Sequence, residues 1–371
     1  MAKCRGNGNP LSAEILQSRW SIQDYLGAVR VRLGIRRNQY RVSPGLYAIG
    51  KPEPDSYIFV TANYKLSFDH LRKALDGQDC WILVLDTKGI NVWCAAGKGT
   101  FGTEELILRL SSTPLSKLST RRLLILPQLG APGISAPEVE RVTGFKVVYG
   151  PVRAKDLPAF IAAGLKATNS MRQVQFPLLD RLVLIPVELL GMLKPLTAVV
   201  GVLTLLGVLL GIGIQGGHLV SQQEGKIALS FTHLFMMVKT AFLTFFPLFP
   251  LAITGVILFP LLLPFLPGRA FSVKGAVLGV VGVLAYYFIS LGGNLFSFSP
   301  ELLTRFLPYL LLFPALVSFL ALNFTGSTPY TSLSGVLKEM RIALPLQGIS
   351  AGIGIIGLFQ RSLFVLSGGI Q

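Results

Sequence analysis

The 371-residue sequence predicts an α/β domain built on a parallel sheet, followed by an all-α domain of about five transmembrane helices. Three observations predict it. Charge is unevenly spread: residues 1–180 hold 24 Lys+Arg and 14 Asp+Glu, leaving 10 and 4 of the 34 and 18 for residues 181–371. In the charged half, short apolar runs rich in strand formers alternate with helical segments, the pattern of a sheet with helices on its faces. The second half holds apolar runs near the ~20 residues that a bilayer needs. The chain therefore divides into a first domain over residues 1–170, a linker or interfacial helix over 171–195, and a transmembrane domain over 196–371.

Taken in order, the Gly/Asn-rich start is a tail, and residues 12–25 read as a helix. The Arg-rich stretch over 30–41 follows, where Arg36 and Arg37 serve either lipid headgroups or a solvated edge strand. Residues 57–61 form a strand and residues 66–75 a helix, with Ser67 as its N-cap. His70 in that helix reads as solvated. A second strand begins at Cys80, which packs, and ends near Asp86. Thr103 is placed to cap a helix whose first turn holds Glu104 and Glu105, acids that suit the helix dipole. Residues 121–126 give a buried strand that runs into the loop Pro127-Gln128-Leu129-Gly130-Ala131-Pro132-Gly133. That loop either lines a ligand site or is a plain crossover. A short helix over 137–143, a strand over 145–149 and a helix over 154–167 complete the domain.

From Phe176 the chain turns apolar. Residues 182–193 are too short to span and carry Pro186 and Glu188, which reads as an interfacial helix. Spans are expected over 196–214, 275–292, 306–323 and 343–360. Residues 229–267 are long enough for two spans, or for one span plus an in-plane helix. The positive-inside rule favours one, because one span leaves Arg269, Lys274, Lys338 and Arg341 on the side of the first domain. His233 and Lys239 then fall in its less apolar half, with Lys239 snorkelling. Residues 324–335, dense in hydroxyls, return to that same side, either as a capped turn or as a contact for the first domain.

A mean hydropathy of +0.59 and 51% hydrophobic residues exclude a wholly soluble chain. A net charge of +16 raises nucleic acid as a partner. Yet no basic run is interleaved with stacking aromatics, so no nucleic acid is expected, and a basic domain beside anionic lipid is the simpler account. The spans lack paired polar groups and repeated broken helices, which weighs against a transporter. Cys4, Cys80 and Cys94 form no C-x-x-C and no paired framework. The start lacks the apolar core of a secretory signal. A multi-pass protein of the inner (cytoplasmic) membrane is expected, with its first domain in the cytoplasm and no iron–sulfur cluster in the chain.

The stretch Asn91-Val92-Trp93-Cys94-Ala95-Ala96-Gly97-Lys98 organises this reading. It lies between a strand and a helix, where open α/β sheets bind ligands. Cys94 there is either a small buried hydrophobe or a thiol placed for chemistry. Gly97-x-Gly99-x-x-Gly102 also fits a dinucleotide fingerprint, but the strand after the next helix ends in Pro127-Gln128, with no ribose-binding acid.

These eight residues resemble the cap-helix motif of the mercury-methylation corrinoid protein (HgcA) family. The likeness extends through Val60-Thr61-Ala62-Asn63-Tyr64-Lys65-Leu66-Ser67-Phe68-Asp69, through Gly144-Phe145-Lys146-Val147-Val148-Tyr149-Gly150-Pro151-Val152, and to Asn323-Phe324-Thr325-Gly326-Ser327. The first domain is also similar to the large subunit of corrinoid iron–sulfur proteins, but a cysteine in the cap is the mercury family's feature. The resemblance implies a Rossmann-like corrinoid-binding domain whose cofactor is a cobalamin. It makes Cys94 the lower axial cobalt ligand and the catalytic residue. Asn91, Val92, Trp93, Ala95, Ala96 and Gly97 would hold the cap against the corrin face, with Lys98 and Thr100 in polar contacts at its edge. Thr61 and Asn63 would reach the amide-bearing rim.

The implied activity is that of a corrinoid-dependent methyltransferase, passing a methyl group from cobalt to Hg(II) and giving methylmercury. The implied partners are a ferredoxin-like protein with two 4Fe–4S clusters, as reductant and candidate Hg(II) donor, and a methyl donor protein or methyl-tetrahydrofolate pathway. A membrane-anchored corrinoid methyl carrier of one-carbon (acetyl-CoA pathway) metabolism stays open as the alternative, because sequence does not reveal the methyl acceptor.

Overall fold

The run Cys80-Trp81-Ile82-Leu83-Val84-Leu85 is buried at all 6 positions, as a strand covered on both faces must be. It is central to the first of two units in this computed structural model, which describes residues 13–223, 226–229, 231–290, 300–327 and 333–366. The units are Met1–Gln175 and Phe176–Gln371.

The first unit runs β1 (Glu14–Leu16), α1 (Ile22–Arg32), β2 (Gly45–Ile49), β3 (Tyr57–Ala62), α2 (Lys65–Ala74), β4 (Cys80–Leu85), α3 (Val92–Gly97), α4 (Thr103–Ser112), α5 (Leu115–Leu118), β5 (Leu123–Leu126), α6 (Ala136–Thr143), β6 (Lys146–Tyr149), α7 (Leu157–Ala162) and α8 (Asn169–Arg172). Its sheet has 6 strands in the order β1-β2-β4-β3-β5-β6. Strands β3 to β6 pair in parallel, but β2 pairs antiparallel with β4, so the sheet is mixed rather than wholly parallel. In β3 and β4, Tyr57 lies opposite Cys80 and Ala62 opposite Leu85. The two carboxyl ends therefore finish side by side, beneath the loops that follow.

Side chains alternate across the sheet. Val60, Ala62, Leu83 and Leu85 face a core with Ala95, Phe101 and Leu106, while Phe59, Ile82 and Val84 face Phe68, Leu75 and Phe160. Cys80 belongs to the second core at 1% exposure, so it packs as expected.

Several local expectations change. Within the stretch read as a helix over 12–25, residues 14–16 form β1 and the helix begins only at Ile22, as α1, started by a capping box between Ser21 and Asp24. The Arg-rich stretch carries the end of α1 and a 3-10 turn, Arg37–Gln39, so it is no edge strand. Helix α2 starts at Lys65 without a side-chain cap, and Ser67 lies within it. Thr103 is the first helical residue of α4; its hydroxyl accepts from Ser135 N–H at 2.8 Å, tying α4 to the start of α6. Residues 154–167 break into a 3-10 turn and α7, which ends before Gly164 and Leu165, both at positive φ.

Helices α1 and α2 are joined by buried charge. Lys65 Nζ lies 2.6 Å from Asp24 and 2.7 Å from Asp69, and the Arg72 guanidinium 2.7 Å from Asp24 and 2.8 Å from Asp69. Arg72 also donates to the carbonyls of Gln17 and Arg19, and Trp20 Nε1–H to that of Asp69. Every charge in the cluster has an opposite neighbour, which a buried ionic group requires.

The second unit runs α9 (Leu178–Leu182), α10 (Ile185–Leu219), β7 (Val220–Gln223), β8 (Lys226–Leu229), α11 (Phe231–Phe245), α12 (Leu248–Leu262), α13 (Phe271–Ser290), α14 (Pro300–Ser327) and α15 (Leu333–Leu366). Among the described residues, five stretches are long and apolar enough to cross a membrane: Leu178–Gly213, Leu234–Leu262, Phe271–Ser290, Phe306–Thr325 and Gly335–Val365. Residues 182–193 are not a separate interfacial helix, since α10 runs through Pro195 without a break. Strands β7 and β8 pair antiparallel, which the sequence reading did not anticipate. The start of the hydroxyl-rich stretch, to Ser327, is helical, while residues 328–332 lie outside the described residues, as does Cys4.

Helices α11 and α12 meet at Pro247. Tyr309 Oη–H donates to the Thr244 carbonyl at 2.9 Å, in the last turn of α11. Buried Arg181 donates to the carbonyls of Pro260 and Leu261, at the negative end of α12. Gly275 and Gly279 let α13 lie against α14: a Cβ at Gly275 would fall 2.6 Å from Ala321, and one at Gly279 2.5 Å from Pro314.

Candidate functional site

The site forms where β3 and β4 end. Asn63, the first residue past β3, is 1% exposed, and its side-chain hydrogen bonding is spent on the neighbouring loop. Its Nδ2 donates to Asp86 at 3.0 Å, and its Oδ1 accepts from the N–H groups of Thr87 and Gly89. The Thr87 hydroxyl lies 2.8 Å from the same oxygen and 2.6 Å from the Ile90 carbonyl. Asn63 thus fixes the path of residues 86–90, which deliver the chain to α3. Thr61 is buried and shares its face of β3 with Phe59, on the side of the sheet away from α3.

Helix α3 has 6 residues and is capped by Asn91, whose Oδ1 accepts from Cys94 N–H at 2.9 Å. Its periodicity divides the motif. Val92, Ala95 and Ala96 are buried and pack into the sheet-side core, Asn91, Trp93 and Cys94 are half-buried, and Gly97 and Lys98 are exposed. Cys94, Gly97 and Lys98 therefore lie on the open face, three and four residues apart. The Thr100 hydroxyl is turned toward the Ala95 carbonyl, at 3.5 Å.

The glycine pattern serves this support. Gly99 has a φ of 78°, and a Cβ on Gly102 would lie 2.6 Å from the Gly99 carbonyl oxygen. The loop Gln128–Gly133 backs onto α3 as well. A Cβ on Gly133 would fall 2.1 Å from the Phe101 carbonyl and 3.1 Å from the Ala96 Cα. The loop braces the buried side of α3, on the far side from the Cys94 face.

Two residues at the site were not read from the sequence. Residues 40–42 run beside residues 63–65, through Val42 N–H to the Asn63 carbonyl and Lys65 N–H to the Tyr40 carbonyl, both at 3.0 Å. This brings Arg37 onto the side chain of buried Tyr64, and its positive charge acts on Cys94. Arg37 is near Cys94 only through that long-range pairing, which no local motif encodes.

Burial pushes the Cys94 thiol up, while Lys98, Arg37 and a hydrogen bond with Asn91 act against it; burial prevails. The free side chain is therefore a thiol, and binding a metal through sulfur would release its proton. Among the described residues, no three His, Cys, Asp or Glu side chains group as a metal site. A metal at Cys94 would have to bring most of its own donors, as a macrocycle does. The open face of α3 fits such a ligand: one soft sulfur, glycine one turn on, and a lysine at the edge.

Cys80 differs. Burial and then Asp79 push its thiol up to about 12, which suits a packed side chain.

Residues 30–161 match the family described as the CO dehydrogenase/acetyl-CoA synthase delta subunit. The acetyl-CoA decarbonylase/synthase complex subunit gamma of Methanopyrus kandleri is 32% identical over 127 residues, 34% of this chain and 27% of that protein. Its counterpart in Archaeoglobus fulgidus is 34% identical over 118 residues, 31% of this chain and 25% of that protein. The corrinoid/iron–sulfur protein large subunit of Moorella thermoacetica is 28% identical over 176 residues, 42% of this chain and 39% of that protein. The matches span between about a quarter and two fifths of these relatives. The segment that builds β2 to β6 and carries Cys94 is therefore similar to the CO dehydrogenase/acetyl-CoA synthase delta subunit family and to a corrinoid/iron–sulfur protein.

Proposed function

We propose that this chain is a membrane-anchored, corrinoid-dependent methyl-transfer protein whose Cys94 would hold the cobalt through its sulfur. The observation that carries it is Cys94 on the open face of a capped, glycine-braced helix at the carboxyl ends of β3 and β4. The relatives' names support the class: subunits of acetyl-CoA decarbonylase/synthase complexes and a corrinoid/iron–sulfur protein. By that likeness the chain works with protein partners in one-carbon chemistry, as a methyl carrier.

When bound, the corrinoid supplies the cobalt that carries the methyl group. The chain's own residues hold and tune it. Asn91 fixes the first turn of α3, Val92, Ala95 and Ala96 anchor the helix to the core, and Cys94 offers a soft donor. Lys98, exposed on the same face, would meet the group's polar edge, while Asn63 acts at one remove by fixing the loop before α3.

A second reading names Hg(II) as the methyl acceptor, with a ferredoxin-like reductant as partner. It is favoured by the cysteine itself, at the position where the Asn91–Lys98 motif resembles the mercury-methylating family. Membranes holding the protein, a 4Fe–4S reductant and a methyl donor, given Hg(II), should form methylmercury. Methyl delivery to a one-carbon acceptor without methylmercury would leave the carrier alone. A folded protein with no cobalamin-dependent absorption change would remove both readings.

A further inference from the structure

Helix α1 turns an apolar stripe outward. Ile22, Tyr25, Leu26 and Val29 are 79%, 51%, 59% and 52% exposed, whereas Ala28 and Val31 on the opposite face are buried. With 3.6 residues per turn, the four exposed residues fall within an arc of about 100°. Arg30 and Arg32, in the last turn, flank that arc on its two sides. Among the described residues neither arginine is in an ion pair. Asp24, the acid of this helix, faces inward and is held by Lys65 and Arg72. The face offered to the surroundings is therefore apolar at its centre and cationic at both margins.

We propose that α1 is an in-plane docking element that seats the first unit on an anionic bilayer surface. The stripe would enter the headgroup boundary and Arg30 and Arg32 would pair with lipid phosphates. Charge complementarity argues for this occupant: residues 1–180 carry 24 Lys+Arg against 14 Asp+Glu. The bilayer is also within reach, since the chain continues directly into stretches able to cross a membrane. An apolar stripe bordered by Arg is the composition of interfacial helices, and anionic lipid adds attraction for each nearby cation. Cluster contacts through Asp24 fix α1 to α2, so docking would hold the unit through a rigid connection.

The test uses the full chain in bilayer discs, followed by amide hydrogen exchange. In discs with a third phosphatidylglycerol, exchange over residues 22–32 should be slower by about tenfold than in pure phosphatidylcholine. Half-molar salt should reverse much of that difference, and Arg30→Glu with Arg32→Glu, or Leu26→Asp, should abolish it. Exchange in β4 should stay unchanged, showing that the unit remains folded. Equal exchange in anionic discs, neutral discs and detergent would overturn the proposal. So would protection that depends on protein concentration or on an added protein, since the face would then belong to a protein partner. If a variant loosens β4, the wild-type comparison between the two lipids decides alone.

Discussion

Whether Cys94 ligates or packs is separable by substitution. A half-buried thiol replaced by methyl should cost no more than about 1 kcal/mol of stability. Cys94→Ala should nevertheless change the spectrum of bound cobalamin and remove methyl transfer. Cys94→His should retain the cofactor through imidazole and lose the reaction, because nitrogen donates less softly than sulfur. Cys80→Ala should alter neither spectrum nor transfer. Full transfer and an unchanged spectrum in Cys94→Ala would sink the ligand assignment. Much at this scale was legible. Asn91 and Cys94 sit three residues apart, the spacing by which a cap reaches an N–H of the first turn. The inward turn of Val92, Ala95 and Ala96 was also open to a reading of helical period, though the resemblance led to all eight residues being placed against the ligand. Arg37 and Tyr64 were not legible, because residues 40–42 must first find residues 63–65.

Among the elements, α1 and α2 depend on a charge cluster whose members are far apart in sequence. Burial raises the Asp24 carboxyl, but hydrogen bonds from Lys65, Ser21 and Arg72 outweigh it and hold it well below the ordinary carboxylate value. Its contribution to stability is therefore complete above about pH 4 and is lost as pH falls toward the folded value. Asp24→Asn leaves Lys65 and Arg72 short of an anion and should destabilise the attachment of α1 by about 3 kcal/mol. Unfolding followed by Trp20 emission should show the loss at neutral pH and a weaker dependence on acid than in the wild type. An identical acid dependence in both proteins would mean that Asp24 is not held as described. Elements β3 to β6 were readable because each is a short, mainly apolar run between turn residues. The strands β1 and β2 were not: Glu14–Leu16 is 3 residues long, and Gly45–Ile49 owes its strand to pairing with β4 rather than to propensity.

For the whole molecule, the parity of the membrane spans decides which faces the chain presents to each side. Helices α11 and α12 have 15 residues each, about 22 Å long at 1.5 Å per residue. Neither alone reaches across the ~30 Å hydrocarbon core, but together they make one stretch long and apolar enough to cross, Leu234–Leu262. The opposite arrangement, two crossings by residues 231–262, would need both short helices to thin the bilayer. It would also move Arg269, Lys274, Lys338 and Arg341 to the side away from the first unit, against the positive-inside bias. Lys274 Nζ donates to the Leu263 carbonyl at 2.7 Å, which keeps that charge at the α12–α13 turn. Five crossings would place the first unit and residues 325–335 on one side and the carboxyl end on the other. Reporter fusions within residues 325–335 and after Gln371 should therefore report opposite compartments, the former agreeing with a fusion at the amino end. If the fusion after Gln371 agrees with the amino end instead, α11 and α12 cross separately and the proposed sidedness of every later loop is reversed.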